Sequence, residues 1–592
     1  MTDPRPDAAL GVARSFSGRR WHLPLGDEAL SASLMRELNL SPVLARLLAA
    51  RGISLADAPD YLGPTLRKFL PDPHLLQDMD IAVERAAAAL AAGERIAVLG
   101  DYDVDGSVSA ALLGDFLGGI GMPPRIYIPD RMSEGYGPSV AAMQALKAEG
   151  ASLVITVDCG AAGGAPFAAA RDLAMDVLVL DHHRVEVRPD ALAHVNPNGP
   201  GDISGLGHLC AAGVVFLFLV ALNRRLDENG FYAERNIAKP DLRRLLDMVG
   251  LATVCDVVPL TGVNRAFVRQ GLSVLSRLER PGLAALAQVA KASPPFTPYH
   301  LGFVFGPRIN AGGRVGRSTL GADLLTSLAD AAPGFAGQLD MHNRERREIE
   351  KLILEEAIAM AATQGNTPFL LVSNDGWHPG VVGIVAGRLK ERFARPAFVA
   401  GFEGGMGRGS ARSVPGLDIG RMVRAAREQG LIEAGGGHAM AAGFTLAAHQ
   451  LDGFRKFLES AFTGADAALD AAHELALDAV SSPAAATPAL VEEIAAAGPY
   501  GAGNAEPVLA FADVRVAYAD VVGGDHVKLR LQGGDGTMMD AIAFRAMGTK
   551  LGEGLLASRG KAIHVAGRLK SDEWNGRIRA QLQVEDAAPA TG

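Results

Sequence analysis

Three short apolar runs in the chain each lead directly into residues that can bind a metal ion. The runs are Arg95–Gly100, Leu153–Val157 and Val177–Leu180, and the residues that follow them are Asp101, Asp103, Asp105, Asp158, Asp181, His182 and His183. Carboxylates and imidazoles without thiolates suit Mn²⁺ or Mg²⁺, and histidine favours Mn²⁺. Two such ions about 3.5–4 Å apart, bridged by one carboxylate, are a common device for hydrolysis at phosphorus. The residue types therefore predict hydrolysis of a phosphodiester or a phosphoanhydride.

The first of these clusters, DYDVDG, repeats its carboxylates with period two. In an extended segment all three would point to one side, where like charges repel unless cations lie between them. The alternative for any single aspartate is a helix N-cap, and for Asp-Gly a turn. Three strand ends of the same character favour a metal site. Asp256, in LATVCDVVPL, is a further candidate whose position alone leaves both interpretations open.

The elements that must position these residues alternate between strand and helix. The three runs and Arg125–Ile128 are nearly all apolar, and helical segments such as Ser107–Leu117 and Pro138–Glu149 separate them. This alternation is typical of a parallel sheet covered on both faces, that is, an α/β domain. Ligands bind at the carboxyl ends of such strands, so the candidate residues should converge there.

The rest of the chain changes character twice. Residues 338–364 read as one long charged helix, followed by a second α/β unit to about residue 462 with strands near Phe369–Val372 and Pro396–Ala400. Residues 463–488 are rich in Ala and Ser without a strand pattern and read as a linker. From about residue 506 to 584 the apolar period becomes two, with a hairpin turn at Asn575-Gly576, which predicts a small antiparallel, OB-like barrel.

Composition excludes several classes of protein. The 592 residues carry a net charge of −9 and suffice for several domains. Three cysteines without a CxxC pair exclude a disulfide framework and a thiolate zinc site, so we expect a reducing, cytoplasmic location. The longest apolar run, Leu209–Leu222, is shorter than the about 18 residues of a membrane span and predicts a buried helix. The first residues lack the apolar core of a signal peptide.

The ordered set of motifs resembles a known family. DYDVDG, VDCG, DHH and CDVVP resemble the motifs of the DHH phosphoesterases. Further matches are IPDRMSEGYGPS, LCAAGV, GPRINAGGR, GSARSVPG, GGGHAMAAGF and YGAGNAEPV. Together, from about Arg20 to Val584, they are similar to the RecJ family of single-strand-specific 5′→3′ DNA exonucleases. DHH alone is a weak signal, whereas the ordered set is highly specific.

The resemblance implies a DHH core, a DHH-associated domain joined to it by the long helix, and a C-terminal OB-fold. We expect six segments: an N-terminal segment packing on the core (1–70), the DHH catalytic domain (71–330), the connecting helix (331–366), the DHH-associated domain (367–462), a linker (463–500) and the OB-fold domain (501–592).

The resemblance also implies a role for each candidate residue of the metal site. Two Mn²⁺ or Mg²⁺ ions would be held by Asp103, Asp105, a bridging Asp158, His182 and Asp256. Asp101 would be a ligand or lie behind the ligands. His183 would face the scissile phosphate rather than bind metal.

Substrate contacts are expected from several loops. The family resemblance suggests a pocket for a 5′-terminal phosphate and contacts from Arg131, Tyr136, Arg308, Asn310, Arg314, Ser410, Arg412 and His438. The arginines of GPRINAGGR and GSARS are suited to phosphate, although each could be a solvated surface arginine. His438 could instead be a core histidine, and Tyr136 either stacks on a base or is buried.

The predicted barrel differs from the whole chain in charge. Over 526–580 there are ten basic and five acidic residues, against a chain total of −9. OB barrels bind single strands through a basic groove with aromatic platforms, for which Phe544 and Trp574 are candidates, although both could be core residues. The barrel thus favours single-stranded DNA as the partner.

The leading hypothesis is a metal-dependent exonuclease that degrades single-stranded DNA 5′→3′ to mononucleotides in DNA repair and recombination. One alternative is a DHH hydrolase of short oligonucleotides, cyclic dinucleotides or pyrophosphate, whose members lack the barrel. The other is a DNA-binding protein that has lost its metals, against which the intact acidic set speaks. Candidate protein partners are a single-strand-binding protein and a helicase, and we expect a monomer without membrane attachment.

Overall fold

The structure is a computed structural model that describes residues 8–130, 134–161, 163–465, 468–470, 473–574 and 577–590. It divides into two compact units. The first unit comprises Pro64–Glu348 and Pro499–Ala505. The second comprises Met1–Gly63, Ile349–Gly498 and Glu506–Gly592.

The N-terminal segment belongs to the second unit. Its elements are β1 (Arg20–His22), α1 (Glu28–Leu38), α2 (Pro42–Ala50) and α3 (Ala58–Leu62). We expected residues 1–70 to form one segment packing on the core; the described residues up to Gly63 belong to the second compact unit and residues 64–70 to the first, and the packing on the core stays a prediction. The fully buried indole of Trp21 donates from Nε1 to Asp586 at 3.0 Å, near the end of the chain. The buried N–H needs an acceptor, and the C-terminal strand supplies it.

The first unit is the α/β domain that the alternation predicts. Its strands are β2 (Ile96–Gly100), β3 (Arg125–Tyr127), β4 (Leu153–Val157), β5 (Asp176–Leu180) and β6 (Ala193–Val195), all parallel, in the order β3-β2-β4-β5-β6. Its helices are α4 (Leu66–Phe69), α5 (Met79–Ala92), α6 (Val104–Gly119), α7 (Val140–Ala148), α8 (Gly164–Asp172), α9 (Ala211–Glu228), α10 (Phe231–Arg235), α11 (Leu246–Cys255), α12 (Gly262–Leu275), α13 (Pro281–Val289), α14 (Gly306–Val315) and α15 (Leu320–Thr326).

The central strands are apolar along their whole length because both faces of the sheet are covered. Val98 and Ile155 pack into the large cluster on one face, whereas Ala97 and Val154 pack into a second cluster on the other face. The long apolar run predicted as a core helix forms most of α9, whose apolar residues are almost all buried. Within the described residues, no helix combines the length and the apolarity needed to span a bilayer.

A buried ion-pair network ties α6 to α11. The guanidinium of Arg280 donates to Asp247 in the first turn of α11 at 2.8 Å and to Asp115 near the end of α6 at 2.7 Å. Arg244 also pairs with Asp115. These groups line a cavity of about 600 Å³. Breaking such a buried pair by removing one partner costs about 3–5 kcal/mol, so the tie holds the two helices firmly.

A long helix, α16 (Ala332–Ala362), begins in the first unit and ends in the second, and it includes most of the predicted 338–364 segment. It is followed by β7 (Leu370–Asp375), α17 (Val382–Phe393), β8 (Ala397–Glu403), β9 (Met406–Arg412), α18 (Ile419–Glu428), β10 (Ala434–His438), β11 (Ala441–Ala447) and α19 (Leu451–Ala461). The strands form one sheet in the order β10-β11-β9-β8-β7. Only β7 and β8 are parallel; the other pairs are antiparallel.

The C-terminal elements form a closed barrel. They are β12 (Glu474–Ala476), β13 (Ala479–Ser481), α20 (Pro488–Ala496), β14 (Leu509–Val522), β15 (His526–Gln532), β16 (Met538–Ala543), α21 (Lys550–Leu556), β17 (Ala562–Trp574) and β18 (Arg577–Pro589). The order β14-β15-β16-β18-β17 is closed by pairing of β17 with β14, which agrees with an OB-like fold. Val527, Leu529 and Leu531 are buried, as their alternation predicts.

Two sequence-based expectations for this region need correction. The segment expected to be a linker contains β12, which pairs with β1, and β13, which pairs with β14. Such three-residue strands are too short to show a period in the sequence. Ile578, whose place in the apolar alternation of IRAQLQV predicts an inward position, is 60% exposed. It sits at the start of β18, next to the predicted turn Asn575-Gly576, which lies outside the described residues.

Candidate metal centre and phosphate-binding sheet

The candidate metal residues lie at the carboxyl ends of three adjacent parallel strands. Asp101 follows β2, Asp158 follows β4 and Asp181 follows β5. Because β2, β4 and β5 are neighbours in the sheet, their ends share one edge. Asp256, which caps the C-terminus of α11, joins this edge, since its Oδ2 lies 3.6 Å from Nε2 of His182.

The DYDVDG segment is not extended throughout, contrary to our expectation. Helix α6 begins at Val104, and the Asp103 carboxylate caps it by accepting from the N–H of Gly106 at 3.1 Å. Asp105 therefore lies in the first helical turn. Gly106 permits the tight turn, since a Cβ there would lie 2.5 Å from the carbonyl oxygen of Asp101. Asp103 thus caps the helix and also belongs to the acidic cluster, so both interpretations of this residue apply.

The potential ligand atoms fall into groups whose members lie within 4.8 Å of one another. One group is Asp101, Asp103 and Asp158, and a second is Asp105, His182 and Asp256. A third joins Asp158, His182 and His183 and so links the first two. The three carboxylates of DYDVDG are therefore divided between two neighbouring groups rather than aligned on one.

Nε2 of His182 and Oδ2 of Asp256 are buried atoms of this cluster that lack a hydrogen-bond partner among the described residues. The His182 atom lies 3.4, 3.6 and 3.8 Å from carboxylate oxygens of Asp158, Asp256 and Asp105, too far for good hydrogen bonds. Buried polar atoms that converge without bonding one another fit a cation between them. The donor set of oxygens and imidazole suits Mn²⁺ or Mg²⁺.

Electrostatics point to the same conclusion. Burial, together with the neighbouring carboxylates, raises the pKa of Asp256 to about 9. Burial and the surrounding aspartates also raise the pKa values of Asp105 and Asp158. Without a cation these acids resist ionisation, whereas a divalent ion would stabilise their charged forms.

Asp105 has a second contact that the sequence did not indicate. Its two carboxylate oxygens accept hydrogen bonds from the backbone N–H groups of Ala211 and Ala212, at 2.7 and 2.9 Å. These N–H groups open α9, so the carboxylate also stabilises the positive end of that helix.

Asp181 organises the histidine motif, whereas the sequence analysis named it only as a residue that can bind a metal ion. Its Oδ1 accepts from the N–H of His182 and of His183 and contacts Nδ1 of His183 at 2.8 Å. Its Oδ2 accepts from the N–H of Ala161, in the loop after β4. One buried carboxylate thus ties two of the motif loops together. The available signal was its place at a strand end, directly before the two histidines.

Three asparagines hold the backbone of the site. The amides of Asn196 and Asn198 donate to the carbonyls of His183 and His182, each at 2.8 Å. Asn310, expected to bind substrate, accepts with its Oδ1 a hydrogen bond from the N–H of Val104 at the start of α6. It positions the DYDVDG segment, which links GPRINAGGR to the metal site.

His183 and Tyr136 border the cluster. Burial would lower the pKa of His183, but its bond with Asp181 and the surrounding acids raise that pKa to about 9. The hydroxyl of Tyr136 donates to the carbonyl of Asp158 at 3.0 Å. Its ring is 55% exposed and meets His183 edge to face. Tyr136 is therefore partly exposed to solvent and in contact with two residues of the cluster.

The first unit also holds two of the predicted arginines. Arg308 in α14 pairs with Asp340 at 2.9 Å and donates to the carbonyl of Val304. Arg314 lies in the last turn of α14 and is partly exposed. Arg131 lies outside the described residues.

In the second unit, Ser410, Arg412 and His438 share one face of the sheet. Ala441 on β11 is paired with His438 on one side and with Arg412 on the other, and directly opposed residues point the same way. Ser410 and Arg412 lie against the first turn of α17, where a Cβ on Gly383 would be 3.1 and 3.2 Å from them. A helix N-terminus favours an anion at this position.

Arg412 is a half-buried cation without a carboxylate partner among the described residues. It donates to the hydroxyl of Ser410 at 2.8 Å and to the carbonyl of Ala411 at 2.9 Å. Burial lowers the pKa of its guanidinium. A desolvated guanidinium beside a helix N-terminus fits a bound phosphate, which would supply the missing charge.

On the barrel, Phe544 is 49% exposed and meets His526 edge to face. Lys528 and Arg530 point outward from β15. The side chain of Trp574 lies outside the description.

Comparisons with known proteins agree with this division. Family models match residues 95–253 (DHH family, N-terminal domain), 366–464 (DHHA1 domain) and 477–586 (RecJ OB domain). The chain is 35% identical to the single-stranded-DNA-specific exonuclease RecJ of Salmonella typhimurium, over 93% of this chain and 96% of that protein. The Bacillus subtilis protein of the same name is 32% identical over 97% of this chain and 71% of its own length.

A solved structure is also similar. It is RecJ from Thermus thermophilus in complex with Mn²⁺, with a TM-score of 0.79 and 28% identity, covering 96% of this chain and 79% of that one. A complex of the same protein with Mg²⁺ gives a TM-score of 0.72.

Proposed function

The chain belongs to the RecJ family of single-stranded-DNA-specific exonucleases, and we propose that it degrades single-stranded DNA 5′→3′ to mononucleotides with two Mn²⁺ or Mg²⁺ ions. The observation that carries this proposal is the pair of ligand groups joined through Asp158 and His182. Two adjacent groups support two ions, with Asp158 between them. Asp103 and Asp101 would serve one ion, and Asp105 and Asp256 the other.

When bound, the ions would supply Lewis-acid activation of water and stabilisation of charge at phosphorus. The chain's own residues prepare the site for this. Asp181 fixes both histidines, and the His183 ring is proposed to face the scissile phosphate rather than bind metal. Asn310 and the cap at Asp103 hold the first carboxylates in register.

Recognition of the substrate divides between the two units. Arg412, Ser410 and His438 form a phosphate-binding face on the second unit's sheet, and we assign to it the 5′-terminal phosphate. The half-buried guanidinium of Arg412, which has no carboxylate partner in the described parts of the chain, supports that assignment. Tyr136, Arg131 and Arg314 are proposed to contact the strand near the metal site, and Arg308 to do so if its pair with Asp340 opens.

The barrel is proposed to hold the single strand through outward basic residues such as Lys528 and Arg530 and the exposed ring of Phe544. The match to the RecJ OB domain argues against the alternative of a hydrolase of short oligonucleotides, cyclic dinucleotides or pyrophosphate. The raised pKa values of the intact acidic cluster argue against a protein that has lost its metals.

We also propose a monomer that acts in DNA repair and recombination in the cytoplasm, with a single-strand-binding protein and a helicase as partners. The three cysteines are free thiols, which supports a reducing compartment.

The experiment that tests this function is a product ladder from single strands labelled at either end, with Mn²⁺ and with chelator. The expected result is release of the 5′ label as a mononucleotide, stepwise shortening seen with the 3′ label, and no cleavage with chelator. Release of the 3′ label first would contradict the polarity, and internal products would contradict the exonuclease.

A further inference from the structure

Two aromatic rings stand exposed on the helix beside the metal centre. Tyr299 and Phe303 are 63% and 71% exposed, although aromatic side chains of this size usually find cover. Their ring centroids are 5.3 Å apart and the planes are inclined by 23°, so the rings form a stack. The stack therefore presents flat apolar surface to solvent.

The opposite side of the same segment is fixed against the metal centre. The π-helical turn His300–Phe305 continues into α14. Leu301 and Phe305 are fully buried, and the thiol of Cys255 donates to the carbonyl of Leu301 at 3.4 Å. Cys255 immediately precedes Asp256, and a Cβ on Gly306 would lie 2.5 Å from its sulfur. The exposed rings are thus carried by a segment in contact with the residue next to a proposed ligand.

The charge of the surrounding sequence favours a polyanion. No acidic residue occurs in the sequence between Glu279 and Asp323, whereas Lys291 and Arg314 lie there, and also Arg308 and Arg317, which are paired with Asp340 and Asp323. Exposed aromatic rings together with basic residues are the combination with which proteins hold single strands, because every base has a π-face. A protein partner would not require this charge.

We propose that Tyr299 and Phe303 form a stacking platform for nucleobases of the single strand close to the reacting phosphate. This inference rests on the proposed function and adds a site to it. The platform would grip the strand irrespective of sequence, since stacking does not read base edges. It would also act through binding, because neither side chain belongs to the groups of potential ligand atoms.

The test uses steady-state kinetics of the full-length protein with Mn²⁺ on one single strand. In Tyr299→Leu/Phe303→Leu, which keeps apolar bulk and removes the π-faces, KM should rise about fivefold or more while kcat changes little. Tyr299→Trp/Phe303→Trp should keep KM near wild type. Leu328→Ala, at another exposed apolar residue of the same unit, is the matched control and should change nothing.

Abasic substitution locates the contact. For the wild type, a strand that lacks the base at one particular position from the 5′ end should bind more weakly than the intact strand. The leucine double variant should bind the intact strand and this abasic strand equally. An unchanged KM of the leucine double variant on protein-free DNA overturns the platform. This holds even if the variant has reduced activity when another protein is present. If the wild type itself does not hydrolyse the strand, the proposed function fails instead.

Discussion

The hydroxyl of Tyr136 holds the backbone carbonyl of Asp158 at 3.0 Å, and Asp158 has a left-handed backbone with φ of 57°. A non-glycine residue is conformationally strained in that region, so the surrounding bonds must keep it there. The tyrosine thus braces the carboxylate that links the two ligand groups.

We expect Tyr136→Phe to weaken Mn²⁺ binding without removing the ring. One lost hydrogen bond is worth about 1 kcal/mol, which corresponds to about a fivefold rise in the Mn²⁺ concentration for half-maximal activity. Tyr127→Phe is the matched control, because its hydroxyl bonds to Glu134 in the same unit. Equal metal dependence of the two variants would mean that the Tyr136 hydroxyl does not support the site.

Asp158→Asn should reduce hydrolysis by about a thousandfold or more, since neither ion would be held correctly. Asparagine tolerates the left-handed backbone, so the folded state should keep its stability. Asp158→Ala should lose the same activity and an additional about 1–2 kcal/mol of unfolding free energy. Activity assays with saturating Mn²⁺ and urea denaturation separate the two effects. Substantial turnover in Asp158→Asn would refute the two-ion proposal.

Stability of the metal-free protein should fall as the pH rises. The pKa of Asp256 is about 9 in the folded protein, against 3.8 ordinarily. A group whose pKa is higher in the folded than in the unfolded state stabilises the folded state fully at a pH below the unfolded-state pKa. This stabilisation is lost as the pH rises to the folded-state pKa, here between about pH 4 and pH 9. Because Mg²⁺ favours the ionised form, its effect on Tm should be larger near about pH 8.5 than near about pH 6.

Asp256→Asn should raise the Tm of the chelated protein at the higher pH and reduce the Tm increase that Mg²⁺ produces. The exposed Asp190 supplies the control, since Asp190→Asn should leave both measurements unchanged. If the Tm of the chelated Asp256→Asn protein depends on pH as that of the wild type does, Asp256 is not the cause of the pH-dependent loss of stability.

Arg412→Ala should cost about 1.5–3 kcal/mol in transition-state binding, the worth of a charge-assisted hydrogen bond. The loss should appear mainly with 5′-phosphorylated strands and little with 5′-hydroxyl strands. Arg395→Ala is a close control, because burial also lowers the pKa of Arg395 and its guanidinium likewise donates to backbone carbonyls. An equal loss on both strands would show that Arg412 holds the internal backbone.

The barrel is better tested by charge than by truncation. Removing residues after Gly498 would also expose the indole of Trp21, whose acceptor is Asp586. Lys528→Gln/Arg530→Gln should instead make binding to a long strand less sensitive to salt, with a slope smaller by about 0.7 for each phosphate no longer neutralised. Lys351→Gln, on exposed α16, should not change the slope. An unaltered slope in the double variant would remove β15 from the DNA-binding surface.

The sequence predicted best what depends on local pattern. The strands β2, β4 and β5 and the buried helix α9 lie where their apolar runs do, because such runs are stable only inside a covered sheet. The convergence of Asp101, Asp158 and His182 followed from the single rule that parallel strands end at one edge.

What the sequence did not indicate depends on interactions between distant residues. The pairing of β1 with β12 joins segments more than four hundred positions apart, and neither strand is long enough to show a period. The roles of Asp181 and Asn310 are hydrogen bonds to backbone groups, which leave no pattern in side-chain type. Asp105 appeared only as a ligand because nothing in DYDVDG indicates α9.

Helices α6 and α11 are attracted to each other at one end, where Arg280 binds both, and carry two proposed ligand carboxylates at the other end. Attraction to Asp115 and Asp247 draws the helices together, whereas Asp105 and Asp256 repel each other about 15 Å away, the length of a ten-residue helix. The distance between these two carboxylates therefore depends on both the attraction at one end of the helices and the repulsion at the other. Mg²⁺ demands a shorter and stricter coordination shell than larger cations. Substitutions at positions 115, 247 and 280 are therefore expected to change the spacing of Asp105 and Asp256 while every proposed ligand is kept.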